Sequence, residues 1–196
     1  MRASAASEHR LDRLVMPQLR MTRKWAMPSA NTFDVPPIAA LVRKYLGGVS
    51  VDPFARNSRL ATHTNDMNPT TSAEHHMDAV AFLEMLAARD VKADTLLLDP
   101  PYSPRQISEC YAAAGKTAGM ADTQNAALYA RVRAAARRLC KNGTVVLSFG
   151  WNSAGMGGND FEMMELLLVA HGGAHNDTIC VVERMVQEML PLRHNA

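Results

Sequence analysis

The sequence predicts an α/β chain whose sheet is mostly parallel and is closed by a C-terminal antiparallel hairpin. Three observations carry that expectation. Short apolar runs such as Thr95 to Leu98 and Thr144 to Phe149 have no wet face, as expected of strands buried on both sides of a parallel sheet. Between such runs lie segments whose apolar residues recur at helical spacing. Near the end, two further runs, Phe161 to Ala170 and Thr178 to Val186, are joined through HGGAHND. Glycine pairs and Asn-Asp are hairpin chemistry. The resulting order is helix, three strands, helix, strand, helix, strand and hairpin, which suits layered α/β packing.

The elements follow in turn. Residues 1 to 23 read as a basic N-terminal arm and 24 to 196 as one domain. Residues 1 to 24 hold Arg2, Arg10, Arg13, Arg20, Arg23 and Lys24 against Glu8 and Asp12. That segment carries +4 and the remainder −2. Glu8 and Asp12 argue against a transit peptide, so the arm is read as mobile, either a nucleic-acid contact or a solvated tail. Residues 25 to 35 read as irregular. Pro36-Pro37 open a helix to about Leu46, proline suiting a first helical turn, and Gly47-Gly48 end it. Val49 to Phe54 reads as a short strand and Leu60 to Asp66 as a weak one; Glu74 to Met77 is a further short candidate. From Asp78 a helix aligns Ala79, Phe82, Leu83 and Leu86 on one face. Ala126 to Cys140 is a second clear helix, with Leu128, Val132, Ala135 and Leu139 inward and Arg131, Arg133, Arg137 and Arg138 elsewhere. Gly143 reads as the stop after it. A helix over 160 to 170 is the alternative to the first hairpin strand.

Composition bounds the class. A chain of 196 residues with 47% hydrophobic content is about one domain with a full core. No run approaches the roughly 18 apolar residues of a membrane span; the longest candidate, Met163 to Ala170, is interrupted by Glu165. The three cysteines, Cys110, Cys140 and Cys180, form no CxxC pair. They point to a reducing cytoplasm rather than to a disulfide framework or a zinc finger. No metal site is expected.

Candidate chemistry sits at the strand ends. Asp66, Asp78 and Asp99 fall at or just after strands, and Asp52 lies within VSVDPF. In an α/β sheet such acids converge on one rim, where ligands bind; taken singly, each also suits a helix cap or a turn. Asp99-Pro100-Pro101-Tyr102 is the sharpest motif. A carboxylate beside a carbonyl offers two acceptors, while the prolines supply no backbone N–H and stiffen the loop. That arrangement suits an exocyclic amino group with two donors on one atom, and Tyr102 offers a face for a planar base.

With these motifs in this order, residues 24 to 186 resemble the S-adenosylmethionine-dependent amino-methyltransferases, nearest to small phage- or prophage-type adenine enzymes. "DPPY" (99–102) is similar to their catalytic motif. "KWAMPSANTF" (24–33) resembles a cofactor-wrapping segment, with Trp25, Pro28 and Phe33 as contacts. "VDPFARNS" (51–58) resembles the first-strand motif, which implies cofactor contacts from Asp52, Pro53, Phe54 and Ala55. "TNDMNP" (64–69) is similar to the ribose-binding motif, giving Asp66. "HMDAVAFL" (76–83) is similar to the motif whose acid meets the cofactor adenine, giving Asp78. "GTVVLSFGW" (143–151) and "VAHGGAHNDTICVVE" (169–183) resemble the later strand and terminal hairpin. The resemblance implies a Rossmann-like class I methyltransferase fold, S-adenosylmethionine as cofactor, and methyl transfer to N6 of adenine in DNA, the base being flipped or single-stranded. Cytosine N4 or RNA adenine is the same-class alternative. A non-catalytic nucleic-acid- or partner-binding module on the same fold is the rival.

The sequence departs from that family's pattern in three places. Arg56 and Ser58 stand where glycines are usual, so an altered cofactor loop is expected. Asp66 to Glu74 is short for an interstrand helix. There is no large recognition insertion, which makes a homodimer or a separate specificity partner plausible. The sizeable candidate is 103 to 125, with Arg105, Gln106, Tyr111, Lys116 and Gly119, either a base-contacting segment or an ordinary connection. Trp151 either borders the target pocket or is core. His171 and His175 read as turn hydrogen bonds or substrate-phosphate contacts, His75-His76 as structural, and GMGG (155–158) as a weak glycine loop without a P-loop lysine. The four arginines of the second clear helix are either a DNA patch or a solvated face.

Overall fold

The computed structural model describes residues 18–115, 125–173 and 175–186. Its strands are β1 (Arg20–Trp25), β2 (Ser50–Asp52), β3 (His63–Thr64), β4 (Ala93–Leu98), β5 (Cys140–Gly150), β6 (Phe161–Ala170) and β7 (Thr178–Met185). The helices are α1 (Pro36–Tyr45), α2 (Ala79–Ala88), α3 (Pro104–Ala113) and α4 (Asn125–Arg137), with a short 3-10 turn over Thr32–Asp34. The seven strands form one sheet in the order β1-β6-β7-β5-β4-β2-β3. Only β7 runs against its neighbours, pairing antiparallel with β5 and β6. The architecture is a mixed α/β sheet compatible with a Rossmann-like arrangement.

Side-chain alternation on the central strands separates two cores. On one face Leu96, Leu98 and Val146 meet Phe82, Leu83 and Leu86 of α2 and Val132 and Ala136 of α4. On the other, Leu97, Leu147 and Phe149 meet Ile38, Leu41 and Val42 of α1. The expected faces of α2 and α4 therefore point inward, except that Leu128 is only half-buried. Pro36-Pro37 open α1 as expected. Gly48, at φ +57°, follows its end. A Cβ there would lie 2.1 Å from the Asp94 carboxylate, which accepts from Val49 N at 2.8 Å.

Several elements differ from expectation. Residues 20–25, read as arm and loop, form β1, which pairs in parallel with β6. All six of its residues are exposed, so no apolar alternation marks it; the free edge of β6 supplies its hydrogen bonds. Residues 1–17 of the expected arm, including Arg2, Arg10 and Arg13, lie outside the described residues. The 103–125 segment opens with α3, started by Pro104 and capped by the Ser103 side chain, which accepts from Gln106 N at 3.2 Å; Lys116 and Gly119 lie outside the described residues. Gly143 does not end an element: β5 starts at Cys140 and runs through it with φ +90°. The weak third strand is two residues, extended by a parallel bridge from Asn65 to His75. Residues 161–170 are strand, not helix.

Polar side chains tie the rim together. His171 is buried, its Nδ1 2.9 Å from Ala26 O and its Nε2 2.9 Å from Thr178 Oγ1. That fastens the chain leaving β1 to the hairpin. The GMGG loop wraps an internal anion: Glu183 Oε2 accepts from Met156 N at 2.6 Å, and Gly157 N also donates to it. Gly155, Gly157 and Gly158 all have positive φ. Arg133 donates to Gly155 O at 3.1 Å, and Arg137 pairs with Asp160 and donates to Gly157 O at 2.8 Å. Two of the three α4 arginines therefore staple this loop, while Arg131 and, just after the helix, Arg138 are exposed. No helix among the described residues is long and apolar enough to cross a membrane.

Gly155 sits at φ +52° with a virtual Cβ 2.2 Å from Glu183 Oε2. Gly155→Ala is expected to lower unfolding free energy by about 2 kcal/mol, from positive-φ strain plus displacement of a buried carboxylate. Urea denaturation of the two proteins checks this.

Candidate functional site

The sheet reverses its strand order between β2 and β4: the chain goes from β2 outward to β3, then returns to place β4 on the other side. In open α/β sheets the crevice at the carboxyl ends of such strands is where ligands bind. Asp52 ends β2, and Asp99 directly follows β4. Both therefore stand at the switch point, and each carboxylate lies within electrostatic range of the other.

Asp52 is fully buried. Its Oδ1 accepts from Phe54 N at 3.0 Å; its Oδ2 has no hydrogen-bond partner among the described residues. Burial, reinforced by the Asp99 and Asp66 charges, pushes this carboxyl up to about 8. Asp99 is half-buried. Burial raises it too, opposed by hydrogen bonds from Thr32 and Tyr102 and by the nearby Arg56 charge. The Tyr102 hydroxyl donates to Asp99 Oδ1, while Tyr102 N donates to Gln106 Oε1 at 2.6 Å. The Tyr102 ring lies 5.8 Å from that of Trp151, tilted by 53°. Pro100 borders a second, small cavity of about 30 Å³ with Tyr129 and Ser148, about the room one water needs.

A larger cavity of about 320 Å³ opens beside Asp99, at the lower end of the roughly 300–1,000 Å³ usual for small-molecule sites. Phe33, Phe54 and Ala55 give it apolar walls, and Arg43, Arg56 and Arg59 bring cations to it. Phe33 is held edge-on against Phe149 at 5.2 Å. The loop after β2 is shaped by Asn65, whose Nδ2 donates to Pro53 O at 3.1 Å and to Met77 O at 3.0 Å. Arg56, where glycine was expected, adopts φ +50°. Its backbone N donates to Asp66 Oδ2 at 3.2 Å and its guanidinium to Ala30 O. The loop thus keeps a left-handed turn without glycine, and the side chain links it to the segment after β1.

The expected site residues separate into groups. Asp52, Pro53, Phe54, Ala55, Phe33 and the Asp99–Tyr102 motif gather at the switch point. Asp66 adjoins them, with Oδ1 also accepting from Asn68 N at 2.8 Å. Asp78 caps α2, its Oδ1 accepting from Val80 N at 3.0 Å and Ala81 N at 3.1 Å, the capping use that its position before a helix also allowed. Trp25 ends β1 at the opposite edge of the sheet and is 66% exposed. Pro28 is half-buried on the chain returning from it. Arg105 is exposed and pairs with Glu109 at 2.8 Å along α3, bordering neither cavity. His171 is buried with both ring nitrogens engaged by protein oxygens, so it does not face a substrate. His175 is exposed in the hairpin turn. No cluster of three or more His, Cys, Asp or Glu among the described residues is placed to hold a metal.

Sequence reasoning missed Thr32, Arg43 and Tyr129. Thr32 lay inside the resembling segment but was not singled out. Arg43 occupies an amphipathic helix where an arginine reads as solvated. Tyr129 sits on α4 within reach of the Asp99 charge; that charge and burial push its hydroxyl up to about 12. No protein-family model and no curated protein matches the chain.

The buried Asp52 carboxyl makes a signed prediction. Its folded value near 8 exceeds the ordinary 3.8, so between these pH values the folded state holds a proton that the unfolded state has lost. Asp52 therefore costs stability as pH rises from about 4 to 8, by about 1.4 kcal/mol per pH unit at most. Asp52→Asn is expected to flatten that fall, and urea midpoints between pH 5 and pH 9 measure it.

Proposed function

We propose that this chain is an S-adenosylmethionine-dependent methyltransferase acting on the exocyclic N6 amine of adenine in DNA. The observation that carries the reading is the placement of Asp99-Pro100-Pro101-Tyr102 at the carboxyl end of β4, beside Asp52 and a cavity of about 320 Å³. The sheet order, with β7 antiparallel between β5 and β6, supports it.

The residues present fit such a cofactor on a structural observation: a fully buried carboxylate oxygen, Asp52 Oδ2, lacks a partner among the described residues. A ligand with a cationic centre would satisfy it, and Arg43, Arg56 or Arg59 would suit a carboxylate on the same ligand. Phe33, Phe54 and Ala55 would pack its apolar parts, and Asp66 is the nearby acid for a sugar hydroxyl. When bound, the cofactor supplies a sulfonium-activated methyl group.

The protein's part is orientation and charge stabilisation. The Asp99 carboxylate and Pro100 carbonyl accept the two N–H bonds of the adenine amine. Those bonds turn the nitrogen lone pair out of conjugation and stabilise the positive charge that grows on it. The burial that raises the proton affinity of Asp99 also suits it to receive a proton from the methylated nitrogen. Before a base enters, the Tyr102 hydroxyl fills one acceptor site on Asp99. An amine arriving there replaces that bond, and the ring stacks on the base. Sequence choice is assigned to the 103–125 segment, to a second copy or to a helper protein.

The rival reading is a binding module without catalysis. It draws on Arg56, whose guanidinium ties the loop after β2 to Ala30 and would have to coexist with a cofactor. Calorimetry with S-adenosylmethionine separates the two, since the rival predicts no heat of binding. Asp99→Ala is expected to abolish methyl transfer to adenine in DNA, read by nucleoside analysis with labelled cofactor, while its circular dichroism stays that of the parent. Retained transfer would overturn the reading. Tyr102→Phe should keep activity within about tenfold and Tyr102→Ala should lose about 10- to 100-fold, because stacking needs the ring and not the hydroxyl.

A further inference from the structure

β1 is the one element exposed at every position. Its residues are Arg20, Met21, Thr22, Arg23, Lys24 and Trp25: three cations and no acid. Arg20 lies within electrostatic range of Glu165, but no ion pair engages Arg23 or Lys24 among the described residues. Met21 is 68% exposed, Trp25 66% and Met27 67%. The parallel pairing with β6 puts Trp25 opposite Ala170, at the same carboxyl rim as Asp99. From β4 to β1 the sheet takes four strand steps, about 19 Å at roughly 4.8 Å each. Trp151, 44% exposed and tilted against Tyr102, follows β5 and so lies on that path. Gly172 keeps the hairpin low beside the indole: a Cβ there would come within 3.4 Å of Trp25 Nε1.

We infer that the rim from Trp151 to β1 is a track for the single DNA strand that flanks the target base, with Trp25 stacking an unpaired base and Arg23 and Lys24 meeting phosphates. Exposed aromatics beside cations are the combination that binds single strands. Charge argues against the other occupant that a free strand edge invites, a second copy of the chain. Pairing β1 with β1 would set cation against cation, the device by which edge strands avoid self-association. The inference rests on the proposed function, because it takes Asp99 as the place where the target base sits.

Length gives the test. At about 3.4 Å per stacked nucleotide, 19 Å is about six nucleotides, so a single-stranded 13-mer with one central adenine reaches β1 and a 4-mer does not. Binding is read by competition against a labelled 13-mer across a salt series, alongside methyl transfer. The parent is expected to bind the 13-mer at least tenfold more tightly than the 4-mer. Arg23→Gln/Lys24→Gln should reduce the salt slope for the 13-mer by about 1.4, two phosphate contacts at about 0.7 each. Trp25→Ala should weaken the 13-mer about tenfold, with 4-mer binding unchanged. If the variants match the parent in slope and affinity while the 13-mer is still methylated, the track is refuted and the proposed function stands. If the parent neither binds nor methylates any DNA, both fall. If the parent sediments as a dimer that the variants dissolve, β1 is a self-contact and the track is refuted.

Discussion

Two carboxyl groups at the ends of adjacent parallel strands set the terms for the whole rim. Burying a carboxylate without partners is costly enough that the group keeps its proton instead. Asp52 is in that position: fully buried, with one oxygen satisfied by Phe54 N and the other unpaired. Asp99, two residues further up the neighbouring strand's register, is spared by Thr32 and Tyr102. The segment after β1, the loop after β2 and the turn after β4 each bring a group to one of these acids. Of the two, only Asp52 keeps an oxygen without a donor among the described residues.

Elsewhere acids that are half-buried, and the buried Glu183, accept hydrogen bonds from the protein's own backbone. Asp94 accepts from Val49 N, Asp78 from two amides of α2, Asp66 from Arg56 N and Asn68 N, and Glu183 from the GMGG loop. The glycine loop that resembled a weak phosphate cradle thus cradles a side chain of β7. Against this background the unpaired Asp52 oxygen is the exception, and a reason to place the functional site at the switch point rather than at the hairpin.

Much of this was legible in the chain. The dry runs at 95–98 and 144–149, the Pro-Pro start of α1 and the glycine-rich hairpin are local signals, and each produced its element. The gathering of Asp52, Phe54, Asp99 and Tyr102 was legible from motif order. β1 was not, because a strand with every side chain exposed carries no periodicity; its partner, β6, comes some 145 positions later by register. For His171 the sequence left two readings open, turn hydrogen bonds or a substrate-phosphate contact, for a related reason. A histidine in a glycine-rich turn looks available, and only packing shows that Ala26 O and Thr178 Oγ1 have claimed both nitrogens.

By itself, then, the sequence determined the α/β class, the helix faces and the acid–proline–proline–aromatic turn, since these depend on residue type and short spacing. Tertiary structure decided which acid keeps an unpartnered oxygen. Asp66 and Asp78 looked equivalent to Asp52 and Asp99 as strand-end carboxylates. They differ in burial and in how many donors reach them: Asp52 is fully buried with one oxygen unpartnered among the described residues, while Asp66 and Asp78 are half-buried and each accepts from two amides. Tertiary structure also decided the conformation of Arg56. Its side chain argues against a left-handed turn, yet its backbone N–H donates to Asp66 Oδ2 and its guanidinium donates to Ala30 O, and these acceptors from elsewhere in the fold hold it there.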